Sequence, residues 1–178
     1  EVGRLTHVLE PRQARIQKLI ERLTRSSDPQ ERADAAAELS RLNAHEAVAP
    51  MVANLDPSVW ERLDRSQDPI EFRGYVARAL GALGDLRALP GLARATSDGH
   101  EFVQEEAAAA VAKLLPQVTD PAASLPVFVE LLGSTFPKAR QAATQRLFEL
   151  GWLTPERVNE PMINPVIRIA AIEHAVTE

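Results

Sequence analysis

Apolar residues recur along this chain with helical rather than strand spacing. Ile16, Ile20 and Leu23 fall on one face of Gln13–Leu23, with Arg15, Lys18, Glu21 and Arg22 elsewhere, which predicts an amphipathic helix. From Arg32 the pattern changes to alanine-rich and begins to repeat. Arg32–Leu42 (RADAAAELSRL), Arg73–Leu83 (RGYVARALGAL), Gln104–Leu114 (QEEAAAAVAKL) and Arg140–Leu150 (RQAATQRLFEL) are near-copies, with a shorter echo at Arg168–Val176 (RIAAIEHAV). Matching apolar positions lie 41 (Leu39 to Leu80), 31 (Leu80 to Val111) and 36 (Val111 to Leu147) residues apart. Units of that length, each unable to bury its apolar face alone, stack into repeat arrays.

The pattern divides each unit into two helices. In the first unit Ala36, Leu39 and Leu42 form one stripe, Asn43-Ala44 the turn, and Val48, Val52 and Leu55 the stripe of a second helix from His45 to Leu55. In the next, Asp68-Pro69 caps a helix with Tyr75, Val76, Ala79, Leu80 and Leu83 inward. Gly84, free to take positive φ, turns the chain into Leu86–Ala95 through Leu89 and Leu92. The third uses Phe102, Val103, Ala107, Val111 and Leu114, then a helix from Pro121 to Leu132 through Leu125 and Phe128. The fourth uses Ala143, Leu147 and Leu150, and Thr154–Val158 adds a short helix. The expected organisation is a cap helix over 1–27 and repeats over 28–55, 68–96, 97–133 and 134–163. An insertion over 56–67 holds a short helix Pro57–Leu63, and a terminal half-repeat covers 164–178. Asp28 before Pro29 reads as an N-cap followed by a first-turn proline. The fold expected is all-α: a right-handed solenoid of about four antiparallel helix pairs.

Within that frame, FRGYVARALGALGDLRALPGLARA (Phe72–Ala95) resembles the HEAT-like repeat of bilin-lyase-type proteins. Arg73, Val76-Ala77, Leu80-Gly81 and Gly84-Asp85 sit on that family's opening Arg, helix, Leu-Gly and Gly-Asp turn positions. The chain departs from the pattern at Gln104, at Asn43-Ala44 and in the Asp56–Asp68 insertion. The resemblance implies a scaffold or protein-binding module, and, for a minority of such proteins, an enzyme or enzyme subunit. The leading expectation is a non-enzymatic module that binds another protein or peptide. Its alternative is a subunit of a tetrapyrrole-lyase-like or iron-hydroxylase-like HEAT enzyme.

Charge and composition narrow the partners. Net charge is −5, with no bulk field for nucleic acid or an anionic membrane. It is uneven: +1 over 1–45, −1 over 46–96 and −5 over 97–178. A basic partner surface would meet the C-terminal half, against the simpler reading of a solvated acidic face. The absence of cysteine excludes disulfides and thiolate sites and leaves the compartment open, with the cytoplasm favoured and a removed signal peptide allowed. The start at Glu1 suggests a processed product or a piece of a longer chain. No apolar run reaches the roughly 18 residues of a membrane span.

Candidate chemistry is sparse. Arg32, Arg73, Arg140 and Arg168 recur at one repeat position, where an anion site competes with a structural ladder to turn Asp residues or carbonyls such as Asp85. His45-Glu46, His100-Glu101 and Glu173-His174 resemble the di-iron pairs of HEAT-repeat deoxyhypusine hydroxylases, but occupy the wrong slots in the repeat. No cofactor or metal is therefore expected. The sparse basic residues on the second helices also argue against a HEAT-like DNA glycosylase. The residues expected to meet a partner are Trp60 with Arg62 and Arg65 in the insertion, and Asn54, Arg87, Arg94 and Glu130 on the second-helix, concave face. Glu46, Pro50, Leu89 and Pro126 are expected on or near that face, and Trp152 is a weaker candidate. The apolar last helix (Val166, Ile167, Ile169, Ile172) is expected to turn inward, or to cover a neighbouring domain or a second copy.

Overall fold

The computed structural model describes the backbone of residues 2–60 and 70–153, and side chains from 11–59 and 72–153. The described residues form α-helices and short 3-10 turns: α1 (Val2–Arg25), α2 (Pro29–Arg41), α3 (Val48–Ala53), α4 (Pro57–Trp60), α5 (Ile70–Leu83), α6 (Leu89–Ala95), α7 (Glu101–Leu114), α8 (Leu125–Leu132) and α9 (Pro137–Glu149). The first helices of the units stack side by side in the order α2, α5, α7, α9, and α1 covers α2. The second helices α3, α6 and α8 pack behind them, completing an α-solenoid.

Two positions of the repeat carry the stack. Three residues after the repeated Arg or Gln stand Ala35, Val76, Ala107 and Ala143, and seven after it stand Leu39, Leu80, Val111 and Leu147; all eight are fully buried. Alanine and glycine between them let the helices approach closely. A Cβ on Gly81 would lie 2.6 Å from the Ala110 Cβ and 2.8 Å from its Cα, so α5 touches α7 nearly backbone to backbone. The side chain expected inward at Tyr75 is instead 38 % exposed, because its neighbour Val76 takes the buried slot. Phe102 is only half-buried.

The turn between paired helices also repeats. Eleven residues after the repeated Arg stand Asn43 (φ 49°), Gly84 (φ 74°) and Gly151 (φ 69°), all left-handed. Glycine adopts that conformation freely and asparagine at small cost. The third unit has Leu115-Pro116 at this point, continues as a 3-10 turn over Leu115–Gln117, and reaches α8 only after residues 118–124.

Second helices differ from their expected spans. His45–Ala47 and Leu86–Ala88 are 3-10 turns ahead of α3 and α6, and α8 begins at Leu125, not Pro121. Pro50, Pro90 and Pro126 explain this. Each lacks the amide that a continuous helix would bond four residues back, and its ring crowds that carbonyl. The cap helix is longer than Gln13–Leu23, and Ile16, Leu19 and Leu23 bury it, with Ile20 half-buried. Of Pro57–Leu63 the structure describes Pro57–Trp60. Residues 61–69, including Asp68-Pro69, and everything after 153, including Thr154–Val158 and the half-repeat, lie outside the described residues.

Candidate functional site

Among the described residues the repeated Arg or Gln reaches the turn that precedes its helix, at the end opposite the paired turn, or, for Arg73, Asp98 just after the end of α6. Arg32 Nε donates to the Ser26 carbonyl (2.7 Å), Nη2 to the Thr24 carbonyl (3.1 Å), and Nη1 to Asn54 Oδ1 (2.8 Å) at the end of α3. Arg140 Nη1 donates to the Ser134 carbonyl (2.7 Å), and Gln104, which departs from the Arg pattern, donates to the Asp98 carbonyl. The Ser26, Asp98 and Ser134 carbonyls each belong to the residue six positions before the Arg or Gln that reaches it. That residue also caps its turn with its side chain: Ser26 accepts the Asp28 amide, Asp98 the His100 amide and Ser134 the Phe136 amide.

Arg73 adds a buried ion pair. Its Nη2 reaches both carboxylate oxygens of Asp98 at 2.8 and 3.0 Å, with the side chains 7 % and 2 % exposed, while its Nε has no partner among the described residues. Burial lowers the Arg32 pKa from its usual value. These described arginines point into the array and are not an anion site. Their partners are Asn54, Asp98 and turn carbonyls, not Asp85. Asn54 is 2 % exposed and also donates to the Pro50 carbonyl (2.9 Å), so it lies beneath the face on which a partner was expected to meet it. Leu89, 3 % exposed, is core for the same reason.

Asp85 instead joins adjacent turns. It accepts the Arg87 amide (3.0 Å), Arg87 Nε (3.0 Å) and Nη2 (2.6 Å), and lies 2.9 Å from His45 Nδ1. Arg87 Nη2 also donates to the His45 carbonyl at 2.8 Å. The Arg87 guanidinium, with help from the capped amide and His45, holds the Asp85 carboxyl far below the ordinary carboxylate range. Arg87 is thus exposed but already engaged, which weakens its candidacy as a partner contact.

Arg94 and Glu130 remain. They occupy equivalent positions on α6 and α8, each four residues before the capping Asp98 or Ser134. Both are exposed and neither has a hydrogen-bond or ion-pair partner among the described residues. Arg94 stands on a cleft of about 590 Å³. Leu55, Pro57 and Val59 form one wall, Gly91, Arg94 and Ala95 the other, and the Ser97–Gly99 turn closes an end. Asp56, also on the cleft, caps α4 through the Ser58 amide (2.9 Å), a bond that lowers its pKa. Trp60 is the last residue of α4, with Arg62 and Arg65 just beyond the described residues. Trp152 packs half-buried against the core.

His45 and His100 sit at opposite ends of the helix pairs. Among the described residues no three His, Asp or Glu side chains come together as metal ligands, and no helix is long and apolar enough to cross a membrane. The alternating helix layers, buried stripe and closed pair ends define a helical-repeat solenoid. A HEAT-repeat family model matches residues 57–147, and the chain belongs to the HEAT-repeat family. Among solved structures it is similar to "Designed armadillo repeat protein YIII(Dq)4CqI", at 22 % identity and TM-score 0.42 over 87 % of this chain and 79 % of that one. No curated protein matches it. Repeats of this kind generally mediate protein–protein contacts and are typically non-enzymatic.

Proposed function

We propose that the protein is a non-enzymatic interaction module that holds a partner polypeptide in the cleft between α3–α4 and α6. The observation that carries this reading is the cleft itself, with apolar residues on both walls and an exposed Arg94 that has no hydrogen-bond or ion-pair partner among the described residues and shares the cleft with the Asp56 carboxylate. A hollow with apolar walls and an exposed Arg is the chemistry from which binding hot spots are built. Trp60, with Arg62 and Arg65, extends the contact along the insertion, and Glu130 extends it along the second-helix layer. The likeness of Phe72–Ala95 to the bilin-lyase-type repeat is read as kinship of repeat, not of activity. No side-chain arrangement among the described residues favours the enzyme-subunit alternative.

A photo-cross-linking residue at Ala53, exposed on the cleft, tests this against the same residue at Ala112, exposed on α7. In extract of the source cells, the Ala53 position is expected to give one discrete adduct. Arg94→Glu weakens it by about tenfold, the loss of one hot-spot contact. An adduct from Ala112 alone, or one indifferent to Arg94→Glu, contradicts the proposal.

A further inference from the structure

The first-helix layer carries a second surface that the repeat does not explain. The chain has two Trp, one Tyr and five Phe. Four of these eight rings, Phe72, Tyr75, Phe102 and Phe136, stand at or near the starts of α5, α7 and α9, half-buried or exposed. Phe72 and Tyr75 lie 6.2 Å apart, and Tyr75 meets Phe102 edge-on at 5.4 Å. The Phe102 ring rests on bare backbone, because a Cβ on Gly74 would fall 2.6 Å from it.

This ridge already seats two of the protein's own cations, each by the same device of ring face plus carboxylate. The Arg78 guanidinium lies 5.3 Å from the Tyr75 centroid and 5.8 Å from that of Phe102, and donates to both oxygens of Glu106 at 2.6 and 2.8 Å. That bond raises the Arg78 pKa and lowers that of Glu106. Lys138 lies 6.0 Å from the Phe136 centroid and 3.6 Å from Glu105. The two seats differ in strength. Arg78 is held by a fork, whereas Lys138 is 70 % exposed and held by one long contact, the kind of pair that exchanges readily with solvent or a competitor. Beneath Lys138 is a hollow of about 280 Å³ walled by Glu101, Glu105, Phe136 and Pro137, and Glu101 has no partner among the described residues. Stacking of a cation on a ring, with a carboxylate beside it, selects lysine and arginine side chains.

We infer that the ridge across α5, α7 and α9 docks a lysine- and arginine-rich segment of another polypeptide. One cation enters the hollow against Phe136, between Glu101 and Glu105, and displaces Lys138; aliphatic stems of the segment lie along the rims of Phe102 and Tyr75, whose ring faces Arg78 keeps. The seven acidic against four basic residues of 97–153 favour such a segment on α7 and α9. The surface is separate from the α3–α6 cleft, and neither reading depends on the other.

Tyr75 is the one tyrosine of the chain, so its labelled ring is a single-site NMR reporter. Octa-arginine is expected to shift its resonances saturably, and octa-glutamate to leave them in place. The charge reversal Glu101→Lys with Glu105→Lys weakens octa-arginine binding by about tenfold, whereas Glu21→Lys with Glu46→Lys, an equal charge change on exposed residues away from the ridge, costs less than about twofold. The pair Glu101→Gln with Glu105→Gln, milder to the first turn of α7, weakens it by about threefold. Absence of a saturable shift overturns the inference. So does equal weakening by the two reversals, the mark of bulk charge. A Tyr75 shift that depends on protein concentration without peptide assigns the ridge to a second copy and overturns it as well.

Discussion

Asp98 serves three neighbours. Its carboxylate caps α7 and neutralises buried Arg73, and its carbonyl receives Gln104. Removing the carboxylate deprives the buried Arg73 guanidinium of its ion-pair partner. Asp98→Ala is therefore expected to cost about 3–5 kcal/mol in urea unfolding, as for other broken buried pairs. A loss below about 1 kcal/mol, in the range of surface pairs, would contradict the buried clip. At Asp85 the prediction concerns pH. Its folded pKa is depressed, so its contribution is present above the unfolded value of about 4 and is lost as pH falls through the folded value. Asp85→Asn is expected to lower stability by about 1 kcal/mol at pH 7 and to flatten the acid limb of urea midpoints measured between about pH 5 and pH 2. An unchanged acid limb would contradict it. Both roles escape a reading of hydrophobic period. That the repeated Arg reaches Asn54 or Asp98 depends on side chains crossing a helix pair, which period alone does not register. One trace was legible: Ser26, Asp98 and Ser134 stand six residues before Arg32, Gln104 and Arg140.

Elements were legible where one face dominates. Leu39, Leu80, Val111 and Leu147 announced four buried stripes, and all are fully buried. Gly84 announced its turn; Asn43 and Gly151 share its left-handed backbone, and asparagine is the non-glycine residue suited to that conformation. Second helices were harder to delimit, because prolines near their starts convert an apparent continuous helix into a 3-10 or irregular turn followed by a short α-helix. Tyr75 stands exposed, although an aromatic residue beside Val76 fits an apolar stripe on paper, because Val76 takes the buried slot. Gly81 sets the close α5–α7 approach. Gly81→Ala would drive a methyl into Ala110 backbone as well as side chain, and is expected to destabilise by about 1–3 kcal/mol in thermal or urea unfolding. A neutral or stabilising effect, as helix propensity alone predicts for Gly→Ala, would show that the two helices are not held at this distance.

At the scale of the molecule, two layers present two unlike surfaces. The second-helix layer shows small and apolar residues, the α3–α6 cleft and the exposed charges Arg94 and Glu130. The first-helix layer shows rings and carboxylates that already seat cations. The stacked architecture was legible in the near-copies, since each copy needs a neighbour to cover its apolar face. The site was only partly legible: Arg94 and Glu130 remain candidates, Asn54 is buried and Arg87 is engaged with Asp85. The central claim is that a partner occupies the cleft, and hydrogen exchange on the complex with the polypeptide cross-linked at Ala53 tests it most directly. Slowed exchange is predicted over 52–59 and 91–99, with α9 unchanged; protection confined to α7 and α9, or absent from both cleft walls, would contradict it.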